Sequence, residues 1–107
     1  MIKYIFLILV LFTVTGCVIT VPPKTVQVEI IKFKFVPADI IINKGDSVIW
    51  TNKEKRQYHS VRFEQMGAPE PDYMFPGDIF TQTFDEAGKF PYRCGPHPKM
   101  LGSVTVK

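Results

Sequence analysis

An all-β fold, a Greek-key β-sandwich of about seven to eight strands, is what this sequence predicts. Nine prolines and seven glycines punctuate a chain of 107 residues. Between them, β-branched and aromatic residues recur in short runs, several of which alternate apolar with polar positions. Alternation at period two is the signature of a half-buried strand, and glycine and proline between such runs mark turns. A helical bundle would need apolar residues at spacings of three and four sustained over longer stretches.

Taken in order, Met1 to Gly16 stand apart from the domain. Lys3 supplies a charged start, Tyr4 to Phe12 an apolar run, and small or slim residues precede Cys17. That is the layout of an export signal, and it is short for a spanning helix, which needs roughly 20 apolar residues. Val14-Thr15-Gly16-Cys17 resembles the bacterial lipobox, in which cleavage falls before the cysteine and its sulfur takes a diacylglycerol. The expected organisation is a lipoprotein-type signal peptide at 1–16, a tether at 17–24 whose Pro22 and Pro23 favour an extended path, and one domain at 25–107. The expected location is the outer face of a bacterial membrane, toward the periplasm or cell exterior, with Cys17 as the lipidation site.

Within the domain, Thr25 to Phe35 alternate and are expected to form one long strand, with a bulge near Ile30 and Ile31 where the phase shifts. Pro37 stops it. Ile40 to Ile42 and Ser47 to Asn52 are two further strands, joined by a turn in which Gly45 supplies positive φ, and Trp50 is a core residue. Tyr58 to Phe63 alternate again and place His59 at the start of a strand. Glu64 to Asp78, with three prolines and two glycines, are a long loop. Met66 and Met74 in that loop are read as packing or partner-facing residues, and for Tyr73, Met74 and Phe75 core packing under the loop is favoured over lining an exposed patch. Asp72 and Asp78 are read as solvated loop charges. Ile79 to Phe84, Lys89 to Cys94 and Gly102 to Lys107 complete the sheets, Pro91 marking an edge or bulged position.

Composition excludes several functions. There is room for one domain and no second catalytic one. The formal charge of +3 is modest and the basic residues are interspersed with acidic ones, as in Lys53-Glu54-Lys55-Arg56, which argues against a nucleic-acid partner. The chain has two cysteines, Cys17 and Cys94. With Cys17 acylated, Cys94 is a lone thiol in an oxidising compartment, where a bound metal protects it.

Chemistry concentrates in Cys94-Gly95-Pro96-His97-Pro98-Lys99-Met100, which sets thiolate, imidazole and thioether at spacings of three on one stiff loop between strands. His59, the only other histidine, completes a set of four donors. Two imidazoles and a thiolate form a trigonal plane that suits copper, with a distant thioether above it. Sulfur favours Cu(I) and nitrogen accommodates Cu(II), so one geometry serves both states. Four protein ligands leave no open position for a substrate, which points away from an enzyme and from any small-molecule substrate.

Phe33 to Ile40, Lys44 to Asn52, His59, Phe84 to Gly88, Tyr92 to Cys94 and Gly102 to Val106 together resemble the plastocyanin and amicyanin branch of the cupredoxins, across nearly all of 25–107. The compact loop with Pro96 and Pro98 is closest to amicyanin. The resemblance implies one type 1 copper, with Cys94, His59 and His97 in the plane and Met100 axial. It implies an electron shuttle between redox-protein donor and acceptor, the alternative being copper storage or delivery with the same ligands. Three positions depart from the pattern. Ser60 stands where relatives carry an asparagine that ties the ligand loops together, and its hydroxyl offers a shorter tie. Pro96 has no N–H to give the cysteine sulfur. Lys99 puts a charge where an aromatic residue is usual, beside the His97 edge.

Overall fold

The structure, a computed structural model, describes residues 21–107. The export signal and Cys17 lie outside the described residues. Seven strands form the domain: β1 (Thr25–Ile31), β2 (Lys34–Val36), β3 (Asp39–Ile42), β4 (Ser47–Asn52), β5 (Ile79–Thr83), β6 (Gly88–Arg93) and β7 (Leu101–Val106). They make two sheets, one ordered β2-β1-β4-β5 and the other β3-β7-β6. The chain crosses between sheets after β2, β3 and β5, so neither sheet is continuous in sequence. β1 runs parallel to β4 and β3 parallel to β7, while the other pairs are antiparallel.

The period-two reading is physically apt, because the residues it turns inward meet between the sheets. Val28, Ile30, Val48 and Trp50 from the first sheet face Ile40, Ile42, Val104 and Val106 from the second, all buried. Trp50 is 0% exposed and packs its ring against Phe63, Phe80 and Tyr92 at centroid separations of 6.0, 5.6 and 5.4 Å. Each fully buried apolar side chain of this kind contributes about 1.5–3 kcal/mol. In β3 only alternate residues are inside; Ile41 is 67% exposed. At the far end, the Asp46 carboxylate accepts N–H bonds from Lys24 and Asn43 at 2.8 and 2.9 Å, which hold its pKa below the usual value. That closes the β3–β4 turn where Gly45 has φ 88°.

Two expectations are corrected. Thr25 to Phe35 is a hairpin, not one bulged strand: Ile31 pairs with Lys34 across a two-residue turn whose Lys32 and Phe33 have φ 52° and 58°. Such turns ordinarily carry Asn or Gly, so the sequence lacks the usual signal. Tyr58 to Phe63 do not form a strand. The segment makes only two isolated bridges, His59 with Met74 and Arg62 with Arg93. The long loop holds a single 3₁₀ turn at Glu64–Met66. Pro91 sits in β6, an edge strand, as its missing N–H requires.

Gly102 shows how tightly β6 and β7 abut. A Cβ there would overlap the Tyr92 ring and come within 2.8 Å of the Ala38 carbonyl oxygen. Gly102→Ala is expected to destabilise the domain by about 1–3 kcal/mol, measured as a lowered denaturant midpoint; an unchanged midpoint would contradict this packing.

Candidate metal centre

Cys94 follows directly on β6 and Met100 directly precedes β7, so the loop between them is the connection of an antiparallel pair. Its ends are tied: the Cys94 N–H donates to the Met100 carbonyl and the Met100 N–H to the His97 carbonyl, both at 3.0 Å. Prolines at 96 and 98 remove two further backbone freedoms. Arg93 adds a clamp from the side. Its Nη1 donates to the carbonyls of Cys94 and Gly95, each at 2.9 Å, and its Nη2 to Glu64 at 2.6 Å.

His59 arrives from outside the β6–β7 pair. Its backbone exchanges two hydrogen bonds with Met74, at 3.1 and 2.7 Å. Asn52, buried at the end of β4, organises both segments. Its amide donates to the carbonyls of Gln57 and Met74 at 2.9 Å each, while its oxygen accepts the Glu54 N–H. A buried amide with every such bond made is costly to misplace, so it fixes where the loop before His59 runs.

Three donor atoms then meet. His59 Nδ1 lies 3.2 Å from His97 Nδ1, and Cys94 Sγ lies 3.6 Å from the first and 3.5 Å from the second. A triangle with such sides has its centre roughly 2 Å from every corner, the length of bonds from a transition metal to nitrogen and sulfur. His59 and Cys94 are both 0% exposed, and His97 is half-buried with one edge open. Met100, the fourth residue expected, is buried at the close of the same loop. The Glu54 carboxylate stands 3.5 Å from His59 Nε2. A proton held on that side leaves the Nδ1 lone pair directed into the triangle, so the donor set fits a cation between the rings.

Ser60 makes the tie that its position suggested. Its hydroxyl accepts the Gly95 N–H at 2.8 Å, and its own N–H donates to Cys94 Sγ at 3.3 Å. The sulfur therefore receives a backbone donor from the His59 side of the site, although Pro96 offers none.

Sequence reasoning missed three neighbours. Phe33, aimed by its left-handed turn, places its ring edge-on to both imidazoles, with centroids 5.4 Å from His59 and 5.0 Å from His97. Its N–H donates to Glu54 at 2.8 Å. Asn52 and Glu54 complete the set; nothing local in the sequence marks any of them. Met74 is buried, as packing requires, but Tyr73 and Phe75 are not core residues: Phe75 is 58% exposed, and Tyr73 stacks on Tyr58 at 5.0 Å on the surface. Both rings pack on Tyr58 instead, Phe75 with its centroid at 6.2 Å. Asp78 bonds locally to the Phe75 N–H, and Asp72 is exposed.

Burial, then the neighbouring His97, holds the His59 imidazole below its ordinary 6.5, with Glu54 opposing. Burial pushes the Cys94 thiol above 9.0 against the backbone donors of Ser60 and His97.

The whole-chain comparisons agree with this geometry. The profile of the family described as copper binding proteins, plastocyanin/azurin family, matches residues 23–107. Amicyanin of Paracoccus versutus is 38% identical over 93 residues, covering 81% of this chain and 68% of the relative. Amicyanin-alpha of Methylorubrum extorquens is 33% identical, covering 80% and 75%. The crystal structure of Paracoccus versutus amicyanin superposes with a TM-score of 0.71 at 34% identity, over 81% of this chain and 85% of that one.

Two outcomes are expected of the metal-free protein. Ser60→Ala leaves the Gly95 N–H without its partner and should cost about 1–3 kcal/mol, read by denaturant unfolding; no loss would mean that the tie carries no load. For pH, the unfolded state takes up a proton at His59 that the folded state resists, so stability should fall as pH drops below the 6.5 of the free imidazole. The folded state keeps the Cys94 proton where the unfolded state loses it, so stability should also fall as pH rises through 9.0. Unfolding curves across that range should show a maximum between the two limits, and Cys94→Ser should flatten the alkaline side.

Proposed function

This chain belongs to the plastocyanin/azurin family of copper-binding proteins, and we propose that His59, Cys94, His97 and Met100 hold the single type 1 copper with which it carries electrons between extracytoplasmic redox proteins. The observation that carries the assignment is the triangle of Nδ1, Nδ1 and Sγ with sides of 3.2 to 3.6 Å. Copper supplies the one-electron couple, and a donor set of two nitrogens and a thiolate is acceptable to both of its oxidation states.

What the chain itself does is hold that set still. With copper bound, Cys94 would be held as a thiolate, a stronger acceptor for the Ser60 N–H than the thiol. Ser60, Arg93 and the two loop-end bonds keep the sulfur and His97 in place whichever state is present. Little then has to rearrange when charge changes. His59 and Cys94 lie behind Phe33, Met74 and the β-sandwich, shut off from water. His97 alone reaches the surface, and its open edge is the short way in and out.

A storage or delivery protein would need a route by which the ion leaves. Full burial of His59 and Cys94 supports the electron-transfer reading over that one, and slow copper loss to a chelator alongside fast electron self-exchange is the expected behaviour. Export and lipid attachment through Cys17 belong to the same proposal, supported by the order of Lys3, the apolar run and Gly16-Cys17. Metabolic labelling with a fatty acid, absent in Cys17→Ala, tests it.

Adding Cu(II) to the purified protein should give an intense blue that disappears on reduction and never forms in Cys94→Ser. A colourless or merely pale protein would sink the assignment.

A further inference from the structure

The surface around the His97 edge is asymmetric in charge. On one flank, the β1–β2 turn and the segment after β4 enclose a groove lined by Lys32, Phe33, Lys53, Lys55 and Arg56. All four cations are exposed. The carboxylate of Glu54 in the same groove is turned inward, accepting the Phe33 N–H at 2.8 Å and standing 3.5 Å from His59 Nε2, its side chain only 13% exposed. Its charge is thereby engaged with the metal centre, and the groove presents positive charge outward. Phe33 also lines the adjoining groove with Pro96, His97, Pro98 and Lys99, which extends the basic flank to a fifth cation. Among the described residues, no carboxylate lies within ion-pair distance of these five. Across His97 the character reverses: Tyr58 stacks on Tyr73, beside Glu70 and Asp72.

Like charges gathered on one flank, with the one carboxylate of the groove turned inward, set up a positive potential that an anionic surface complements. Its place is informative as well. The cations do not occupy a face of their own; they border Phe33, Pro96 and Pro98 beside the one open edge of the site. An apolar centre with a charged rim is the anatomy of a protein interface more than of a lipid-binding face.

We propose that this flank is the docking surface for an acidic redox protein, whose carboxylates seat against Lys32, Lys53, Lys55, Arg56 and Lys99. The partner's redox centre is thereby brought over His97 from the Phe33 side, with the Tyr58–Tyr73 side turned away by Glu70 and Asp72. The inference rests on the electron-transfer reading and names the chemistry of the partner.

The test is titration of the full chain, copper-loaded, reduced and ¹⁵N-labelled in neutral detergent, with poly-L-glutamate as the acidic probe. Amide shifts are expected at 32–34, 53–57, 97 and 99, weakening about tenfold as salt rises from about 20 to about 200 mM. Lys55→Glu with Arg56→Glu should weaken binding by at least about tenfold. Lys44→Glu with Lys89→Glu, at the opposite end of the sandwich, should not. Shifts centred on Lys44 and Lys89, or spread evenly over the domain, overturn the proposal. So does a response at 53–57 to vesicles of phosphatidylglycerol and phosphatidylcholine but not to poly-L-glutamate, which assigns the flank to a lipid surface. A protein that never turns blue refutes the copper reading; one that is blue and binds the probe elsewhere refutes only the docking surface.

Discussion

Everything distinctive about this domain depends on bringing a thiol and two imidazoles within 3.6 Å of one another inside a low-dielectric interior. Left alone, that arrangement is unfavourable. Two ring nitrogens face each other, and burial makes the imidazole harder to protonate and the thiol harder to ionise. A fold keeps such groups together only if the backbone around them is determined by other interactions. Here the surroundings are fixed from three directions: Asn52 from the end of β4, Ser60 from the His59 segment, and Arg93 from the end of β6. None of the three supplies a ligand atom to the triangle, although the Ser60 N–H donates to its sulfur. Their bonds go almost wholly to backbone groups of the segments that carry the donors.

The sandwich supplies the rigid body to which those bonds are referred. Trp50 and its aromatic neighbours fill the space between the sheets, and the site lies at the end where β4 finishes and β6 passes into β7. The opposite end is closed by Asp46 and the β3–β4 turn. A division of labour follows. One end of the barrel-like body is given to stability; the other accepts unusual backbone, buried polar atoms and a left-handed turn.

How much of this is written in the sequence varies with the range of the cause. The loop from Cys94 to Met100 is legible because its donor types, spacing and prolines all sit within seven consecutive positions. Strands with clean alternation, such as Ser47 to Asn52, are legible for the same reason. His59 is found by elimination, as the second of two histidines, although its segment alternates without joining a sheet. Two isolated bridges and the Asn52 bonds shape it instead, and those are long-range. Phe33 is invisible locally. A lysine and a phenylalanine at a two-residue turn look like more strand, and the contacts that accompany the left-handed backbone, the Phe33 ring on both imidazoles and its N–H on Glu54, are long-range. Tyr73 and Phe75 mislead in the other direction, since aromatic residues suggest a core that the loop does not provide.

The pairing of β3 with β7 has a consequence for the order of events. Those strands meet in parallel, and the Ser103 hydroxyl reaches Asp39 across 64 positions of chain. Met100, and the carbonyl that steadies Cys94, come to rest only when β7 has docked. Closing so long a loop is among the slower steps available to a folding chain. The pocket therefore cannot be assembled piecemeal: it exists only in the completed domain, once both ends of the chain have met.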